Sequence, residues 1–464
     1  MSESLFTLWG ATVARAPSAL AVIGAPGARR WTRAALAAAA TELAGSLPRR
    51  AGRSALAGRR VAMSVPNGPE WFHAFLGLLA AGAVPAPIDT SEPGDTRVAI
   101  ARSIGASHLW CEGCLFPLGA PARPRSHRAR ECLVKVTSGT SGAPKAISVT
   151  DGQMAADGRQ ICESMGIGPA DGNLAAIPLG YSYGLGNLVA PLLLQGSRVV
   201  CVSSTLPHAL ATDALRLKPT VFPAVPPLLG ALVDSDVPAR SLASIRLFIS
   251  AGAPISPEVA RAFAAKFGRR IHGFYGTSET GGITFDRGGE ATLAARSVGA
   301  PLAGVRIAVG KGGRFSVTGP AVTGRGAFSP SDRAALNASG ELVLLGRIGR
   351  MAKVAGRRLD LSEIEAALRS VPGISDAFAD VGAGPDSALA AAAATALPTT
   401  EIRRALRHRL ASWKIPARIV ALAKFPVTHR GKTDARALRQ VLSKPRTATS
   451  ISTLSAERQM SARR

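Results

Sequence analysis

The sequence predicts an α/β protein: a large N-terminal domain of parallel-rich sheets flanked by helices, with a small β region, followed by a smaller, mobile C-terminal α+β domain. Three observations point there. Short apolar runs alternate with helical stretches between residues 60 and 267; after Gly299 they give way to brief β segments between glycines; and fresh helix and strand signals open near Gly346.

Each element follows from local chemistry. Residues 61–65 read as a buried strand, Pro66-Asn67-Gly68 as a turn, 70–81 as an apolar helix and the stretch near Val84 as a second strand, which together make a βαβ unit. The pattern recurs: strands at 174–178 and 198–202 surround an apolar helix at 185–194, and strands at 220–225 and 246–250 follow. Ser256-Pro257-Glu258 opens a helix to Phe267 with an N-cap, a first-position proline and a first-turn acid. Beyond Gly299 come β segments at 305–309, 314–318 and 341–345. In the C-terminal part, DLSEIEAALRSV gives a helix with Ser362 as expected N-cap, 402–410 a further helix and 418–422 a strand. The expected domains are therefore 1–345 and 346–442, with 443–464 a disordered tail rich in Ser, Thr and Arg.

Composition narrows the function classes. The chain has 464 residues, enough for roughly two to four folding units, and 47% hydrophobic with 19% charged residues is a globular balance. The longest apolar run, 75–88, is broken by Pro85 and Pro87 and falls short of the ~20 residues a membrane span needs, so no span is expected. An acid at position 3 and no early basic cluster speak against a secretory signal. Five scattered cysteines, with one CxxC at Cys111 and Cys114 and no second pair near it, predict a reduced cytoplasmic protein without zinc. The net charge of +26 raises the question of nucleic acid. The arginines are spread along the chain without an aromatic recognition signature or zinc finger, so no nucleic acid is expected; the charge instead favours acidic ligands and partners.

Chemistry concentrates in a few stretches. In VTSGTSGAPKAI (136–147), Thr137, Ser138, Gly139, Thr140, Ser141 and Gly142 can turn backbone N–H groups inward on an anion, and Lys145 adds a cation. The spacing is not that of a Walker loop, since Ala146 offers no hydroxyl for magnesium; the plain alternative is a Ser/Gly surface loop. In HGFYGTSETGG (272–282), Glu279 follows an aromatic in a run of small residues. A carboxylate in such a turn can hold Mg²⁺ against phosphate oxygens, while Tyr275 and Gly276 offer a flat face and bare backbone; a tight loop with a solvated Glu is the alternative.

Together with SAGAP (250–254), SDRA with Asp332, LGRIGRMAKVAGRRLDLSEIE (345–365) and PVTHRGKTD (426–434), these stretches resemble the adenylate-forming superfamily of acyl-CoA synthetases, peptide-synthetase adenylation domains and luciferases. The resemblance runs from about Trp31 to Leu438, with the motifs in the family's order. It implies ATP and Mg²⁺ as cofactors. It further implies a phosphate loop at 137–145; adenine and acyl contacts from Gly252, Ala253, Pro254, Tyr275, Gly276, Thr277 and Ser278; ribose contacts from Asp332 and Arg347; Glu279 as metal ligand and catalytic residue; and Lys432 as catalytic lysine. Departures are Ala146 where the family has Gly, Pro330-Ser331 before Asp332, and Gly349 at the hinge where Asp or Lys is common. Gly349 still permits rotation of the C-terminal domain, one orientation presenting Lys432 and another the Gly356 region for thiol attack. The stretch between Thr90 and Glu131 is short for the family, which implies a trimmed N-terminal subdomain.

The expected substrate is a small carboxylic acid. Between Asn173 and Thr212 there is no Asp or Glu, so an α-amino group would find no counter-charge in the family's usual segment. A pocket from Tyr181, Ser182, Tyr183, Leu185 and glycines, Gly281 among them, suits an apolar acyl or aryl acid; aromatics opening a core helix are the alternative. CoA or the phosphopantetheine of an acidic acyl carrier protein is the expected acceptor. An acyl-AMP ligase without its own thiol step, and a basic binding protein on an inactive scaffold, stay open.

Overall fold

The computed structural model describes residues 3–25, 29–50, 56–119, 131–138, 144–324, 326–347, 351–354, 357–381, 388–428 and 433–443. The chain divides into two compact units, Met1–Arg350 with Val427–Thr433, and Met351–Pro426 with Asp434–Arg464. The architecture is α/β in the first and α+β in the second.

In the larger unit, Leu20–Ile23, Arg198–Cys201, Gly172–Ala175, Val221–Ala224, Leu247–Ser250 and Ile271–Thr277 run parallel, in that spatial order, through a nine-stranded sheet. Antiparallel strands close its edges, Arg30–Thr32 at one and Gly281–Phe285 with Ala300–Pro301 at the other. The central strands VFPA and LFIS are buried at every position, as strands covered on both faces must be. Chain order reverses at Gly172–Ala175: Arg198–Cys201 adds on one side of it and Val221–Ala224 on the other. Loops leaving the carboxyl ends at such a reversal diverge and open a crevice. The stretch 176–182 leaves one of these ends and 251–254 leaves another.

A second sheet orders Val84–Pro87, Arg60–Ser64, His108–Cys111 and Cys114–Pro117. Its helix, Pro69–Ala80, starts with proline and Glu70, and inside it Trp71 and Phe75 stack with centroids 4.8 Å apart in the core. The stretch read as trimmed supplies a helix, Gly94–Ser103, and the last two strands of this sheet, so its short length still completes four strands.

Two local expectations are revised. The helix Leu361–Arg369 is capped by Asp360, whose Oδ1 accepts from Ser362 N at 3.0 Å, so Ser362 belongs to the first turn and is not the cap. Ser256 does cap Pro257–Phe267, accepting from Val259 N at 3.2 Å. The apolar helix expected at 185–194 begins earlier as Ser182–Gly184, passes through a π-helical turn at Leu185–Val189 and continues as Ala190–Gln195. The stretch 272–282, expected to present Glu279 in a turn, does so as an antiparallel hairpin in which only 278–280 form that turn and the rest is strand.

The smaller unit holds Asp376–Val381, Leu389–Ala394 and Arg418–Leu422 in one sheet with helices Leu361–Arg369, Thr399–Arg407 and Ala435–Ser443. The tail expected to be disordered lies outside the described residues from 444 onward. All five cysteines are free thiols, and among the described residues no helix is long and apolar enough to cross a membrane.

Candidate active site

Two hairpins bring the two glycine-rich motifs together. Glu131–Ser138 pairs antiparallel with Pro144–Thr150, placing Thr137 opposite Lys145 and Ser138 opposite Pro144 at the base of the expected phosphate loop. The second hairpin, Ile271–Thr277 with Gly281–Phe285, carries Glu279 at its tip. Lys145 Nζ donates to Glu279 Oε1 at 2.6 Å across 134 residues of sequence. The lysine side chain is 55% exposed and the glutamate only 18%, so the cation reaches in from the surface to a carboxylate already held.

That holding comes from the turn itself. Thr277 N donates to Thr280 Oγ1 at 3.2 Å, and the two hydroxyls lie 3.0 Å apart. Thr323 N donates to Glu279 O at 2.7 Å. Gly281 has φ +67, a left-handed conformation glycine adopts without penalty, and a Cβ there would lie 2.3 Å from Asp157 Oδ1. Asp157 Oδ1 instead accepts from Gly282 N at 2.9 Å.

Where the ribose contacts are expected, Tyr275 OH donates to Asp332 Oδ2 at 2.7 Å. Asp332 starts a strand, Asp332–Leu336, and pairs in register with Arg347 at the end of Leu342–Arg347. The two residues expected at a ribose thus sit opposite one another, and the Tyr275 hydroxyl reaches the first of them. In the SAGAP segment, Gly252 takes φ +88 just beyond the strand end at Ser250, which turns 251–254 away from the sheet.

The pocket segment is tied down by Asn67 from the turn before the Pro69–Ala80 helix: its Nδ2 donates to Ile177 O at 2.8 Å and its Oδ1 accepts from Leu179 N at 3.0 Å. Ser182 and Ser278 hydroxyls lie 2.8 Å apart, joining this segment to the Glu279 turn. Tyr183 is half-buried, donates from its hydroxyl to Ile249 O at 3.1 Å and lies against Phe274; desolvation of the phenol pushes its pKa well above the usual range. Tyr181 OH donates to Asp89 Oδ2 at 2.6 Å. The segment's own lack of acids therefore does not make its surroundings acid-free, because Asp89 arrives from after a strand of the other sheet and Asp157 from a helix.

Of the residues expected from sequence, Thr137, Lys145, Tyr181, Ser182, Gly252, Ala253, Pro254, Tyr275, Gly276, Thr277, Ser278, Glu279, Gly281 and Asp332 are described, all in the larger unit. Ser138 and Arg347 are described by their strand positions alone. Gly139, Thr140, Ser141, Gly142, Gly349, Gly356 and Lys432 lie outside the described residues. Asp89, Lys135 and Asp157 were not anticipated. Lys135, inside the apolar strand CLVKV, carried the only visible sequence signal.

Among the described residues no group of three or more His, Cys, Asp or Glu is arranged to hold a metal by itself. Glu279 beside Lys145 fits Mg²⁺ of the kind that enters with a nucleotide, held by one or two carboxylates and completed by phosphate oxygens and water.

The sequence pattern of the AMP-binding enzyme family matches residues 10–136 and 120–324. Phenyloxazoline synthase MbtB of Mycolicibacterium paratuberculosis is 30% identical over 444 residues, covering 83% of this chain; the chain spans only 38% of that protein's length. Sulfoacetate–CoA ligase of Cupriavidus necator is 27% identical, with 81% of this chain and 86% of that protein covered. In fold, the chain is similar to O-succinylbenzoate coenzyme A synthetase of Bacillus subtilis in complex with AMP, at a TM-score of 0.79, 21% identity and 96% and 99% coverage. ATP-bound MatB of Rhodopseudomonas palustris gives 0.80, 20% identity and 95% and 99% coverage. With more than half of its length matched by the family pattern, the chain belongs to the AMP-binding enzyme family.

Proposed function

We propose that this protein activates an apolar acyl or aryl carboxylic acid with ATP as acyl-AMP, releasing pyrophosphate, and transfers the acyl group to a thiol of CoA or of carrier-protein phosphopantetheine. The observation that carries the proposal is the Lys145–Glu279 contact of 2.6 Å, which joins the expected phosphate loop to the expected metal ligand. The relatives include CoA ligases and peptide synthetases, which supports acid activation followed by thiol transfer.

The chemistry sets the roles. A carboxylate oxygen attacks the α-phosphorus of ATP, the bond to the pyrophosphate oxygen breaks, and its electron pair leaves with pyrophosphate. Negative charge therefore crowds the phosphate chain, and fixed cations and N–H donors must meet it. Lys145 stabilises the departing β- and γ-phosphates. Glu279 would hold Mg²⁺, which would supply positive charge to the phosphate oxygens. Asp332 and Arg347, paired across two strands, contact the ribose, and Tyr275 presents its ring to the base. Lys432 brings a second cation to the carboxylate and α-phosphate, and Gly349 serves as the hinge between the two half-reactions. In the second half-reaction the thiolate attacks the acyl carbonyl and AMP leaves.

Tyr181, Ser182, Tyr183 and Gly281 line the acyl end. The net charge of +26 suits both CoA and an acidic carrier protein as acceptor. Thioester formation, followed with CoA and separately with a holo carrier protein after acid activation, tests the acceptor. Product with either thiol supports the proposal; acyl-AMP that accumulates unchanged with both points to a ligase that stops at the adenylate.

A further inference from the structure

A buried ion pair lies beneath the two hairpins. Lys135, two residues before Thr137 on the strand leading into the phosphate loop, has a side chain 4% exposed; Asp157, within the helix Asp151–Met165, is 3% exposed; Nζ and Oδ2 are 4.0 Å apart. Removing two charges from water costs several kcal/mol per ion, and an apolar pair of the same volume is often as stable or more so. The pair therefore needs a reason beyond stability.

Its neighbours supply one. Asp157 Oδ1 accepts from Gly282 N at 2.9 Å, the backbone position that pairs with Gly276 across the Glu279 hairpin. Its Oδ2 packs against the π-helical turn, 3.3 Å from where a Cβ on Gly186 would sit. Lys135 stands opposite Ile147 and, by the two-residue period of a strand, on the same face as Thr137, the partner of Lys145. Burial drives the Asp157 carboxyl upward, and the Lys135 ammonium and the Gly282 N–H counter it. One carboxylate thus fastens the strand of the Lys145 hairpin to the backbone of the Glu279 hairpin.

We propose that Lys135 and Asp157 are positioning residues that set the separation of Lys145 from Glu279. The proposal rests on those two residues being the phosphate and metal ligands of the reaction above. Lys135→Met/Asp157→Leu removes both charges and the Gly282 link at similar volume; Lys135→Met/Asp157→Asn keeps an acceptor for Gly282 N–H and loses only the tie to the strand.

In acid-dependent ATP–pyrophosphate exchange, the leucine variant is expected to raise KM for Mg-ATP about tenfold with a much smaller change in kcat, and the asparagine variant to show a smaller rise of the same kind. The unfolding midpoint stays near that of the wild type in both. Amide hydrogen exchange across 277–282 speeds up in the leucine variant and not in the asparagine one. Unchanged KM in both variants, or a fall in kcat alone, overturns the proposal; where the leucine variant does not fold, an unchanged KM in the asparagine variant does so by itself. A wild type without acid-dependent exchange would sink the functional reading instead, and the amide-exchange difference between the two variants would still decide whether Asp157 fixes the hairpin.

Discussion

The two hairpins that meet at Lys145 and Glu279 are built differently. Glu279 sits on a turn closed by Thr277 and Thr280, held at its carbonyl by Thr323 and braced through Gly282 by a buried carboxylate. Lys145 sits at the start of a strand with its side chain 55% exposed and takes its position from the carboxylate it meets. The difference teaches where precision is needed. In the proposed roles, a carboxylate that fixes a metal must be held within narrow limits, whereas a lysine is a point charge on a flexible stem that adjusts to the phosphates it meets.

That contrast predicts an order of effects. Replacing the anchored group should cost most: Glu279→Ala is expected to lower exchange about a hundredfold or more and to shift the Mg²⁺ dependence to higher concentration, as loss of a preorganised electrostatic group does. Full activity at ordinary Mg²⁺ would remove Glu279 from metal binding. Replacing the reaching group should cost less: Lys145→Met is expected to raise KM for ATP about tenfold, the scale of one lost hydrogen bond to a charged partner, with kcat less affected. An effect as large as that of Glu279→Ala would break the comparison. Loosening the anchor without touching either charge comes last. Gly281→Ala places a side chain at φ +67 and a Cβ 2.3 Å from Asp157 Oδ1, so a loss of about 2 kcal/mol in denaturant unfolding is expected, with partial loss of activity. Wild-type stability in that variant would mean the brace is slack.

Much of the architecture was legible because parallel strands buried on both faces announce themselves. VFPA and LFIS are short apolar runs between turn residues, and their helices carry capping signals such as Ser256-Pro257-Glu258. The Glu279 hairpin was harder. GFYGTSETGG lacks apolar alternation because four of its strand positions, Gly273, Gly276, Gly281 and Gly282, are glycines that admit close backbone approach, and a pattern built on side chains does not see them. The buried strand Leu389–Ala394 went unassigned for a related reason: LAAAAA favours helix locally, and only the neighbours on both sides of it in the sheet make it a strand.

At the site, contiguous motifs could be read and distant partners could not. Lys145, Glu279, Tyr275 and Asp332 stand in recognisable stretches, and the structure joins them in pairs. Asp89 and Asp157 come from segments with no motif of their own; nothing local says that one accepts from Tyr181 and the other from Gly282. The segment between Asn173 and Thr212 carries no acid, as its sequence says, and the acids that stand around it are already engaged, Asp89 by Tyr181 and Asp157 by Lys135 and Gly282 N.

The most direct test of the account is acid-dependent ATP–pyrophosphate exchange by the wild type, run across fatty, aryl and amino acids with Mg²⁺ and repeated with Lys432→Ala. The account predicts exchange that requires an acid, is strongest with apolar acyl or aryl acids and is abolished in Lys432→Ala. ATP turnover indifferent to every acid, or salt-sensitive nucleic-acid binding with no such exchange, would contradict it.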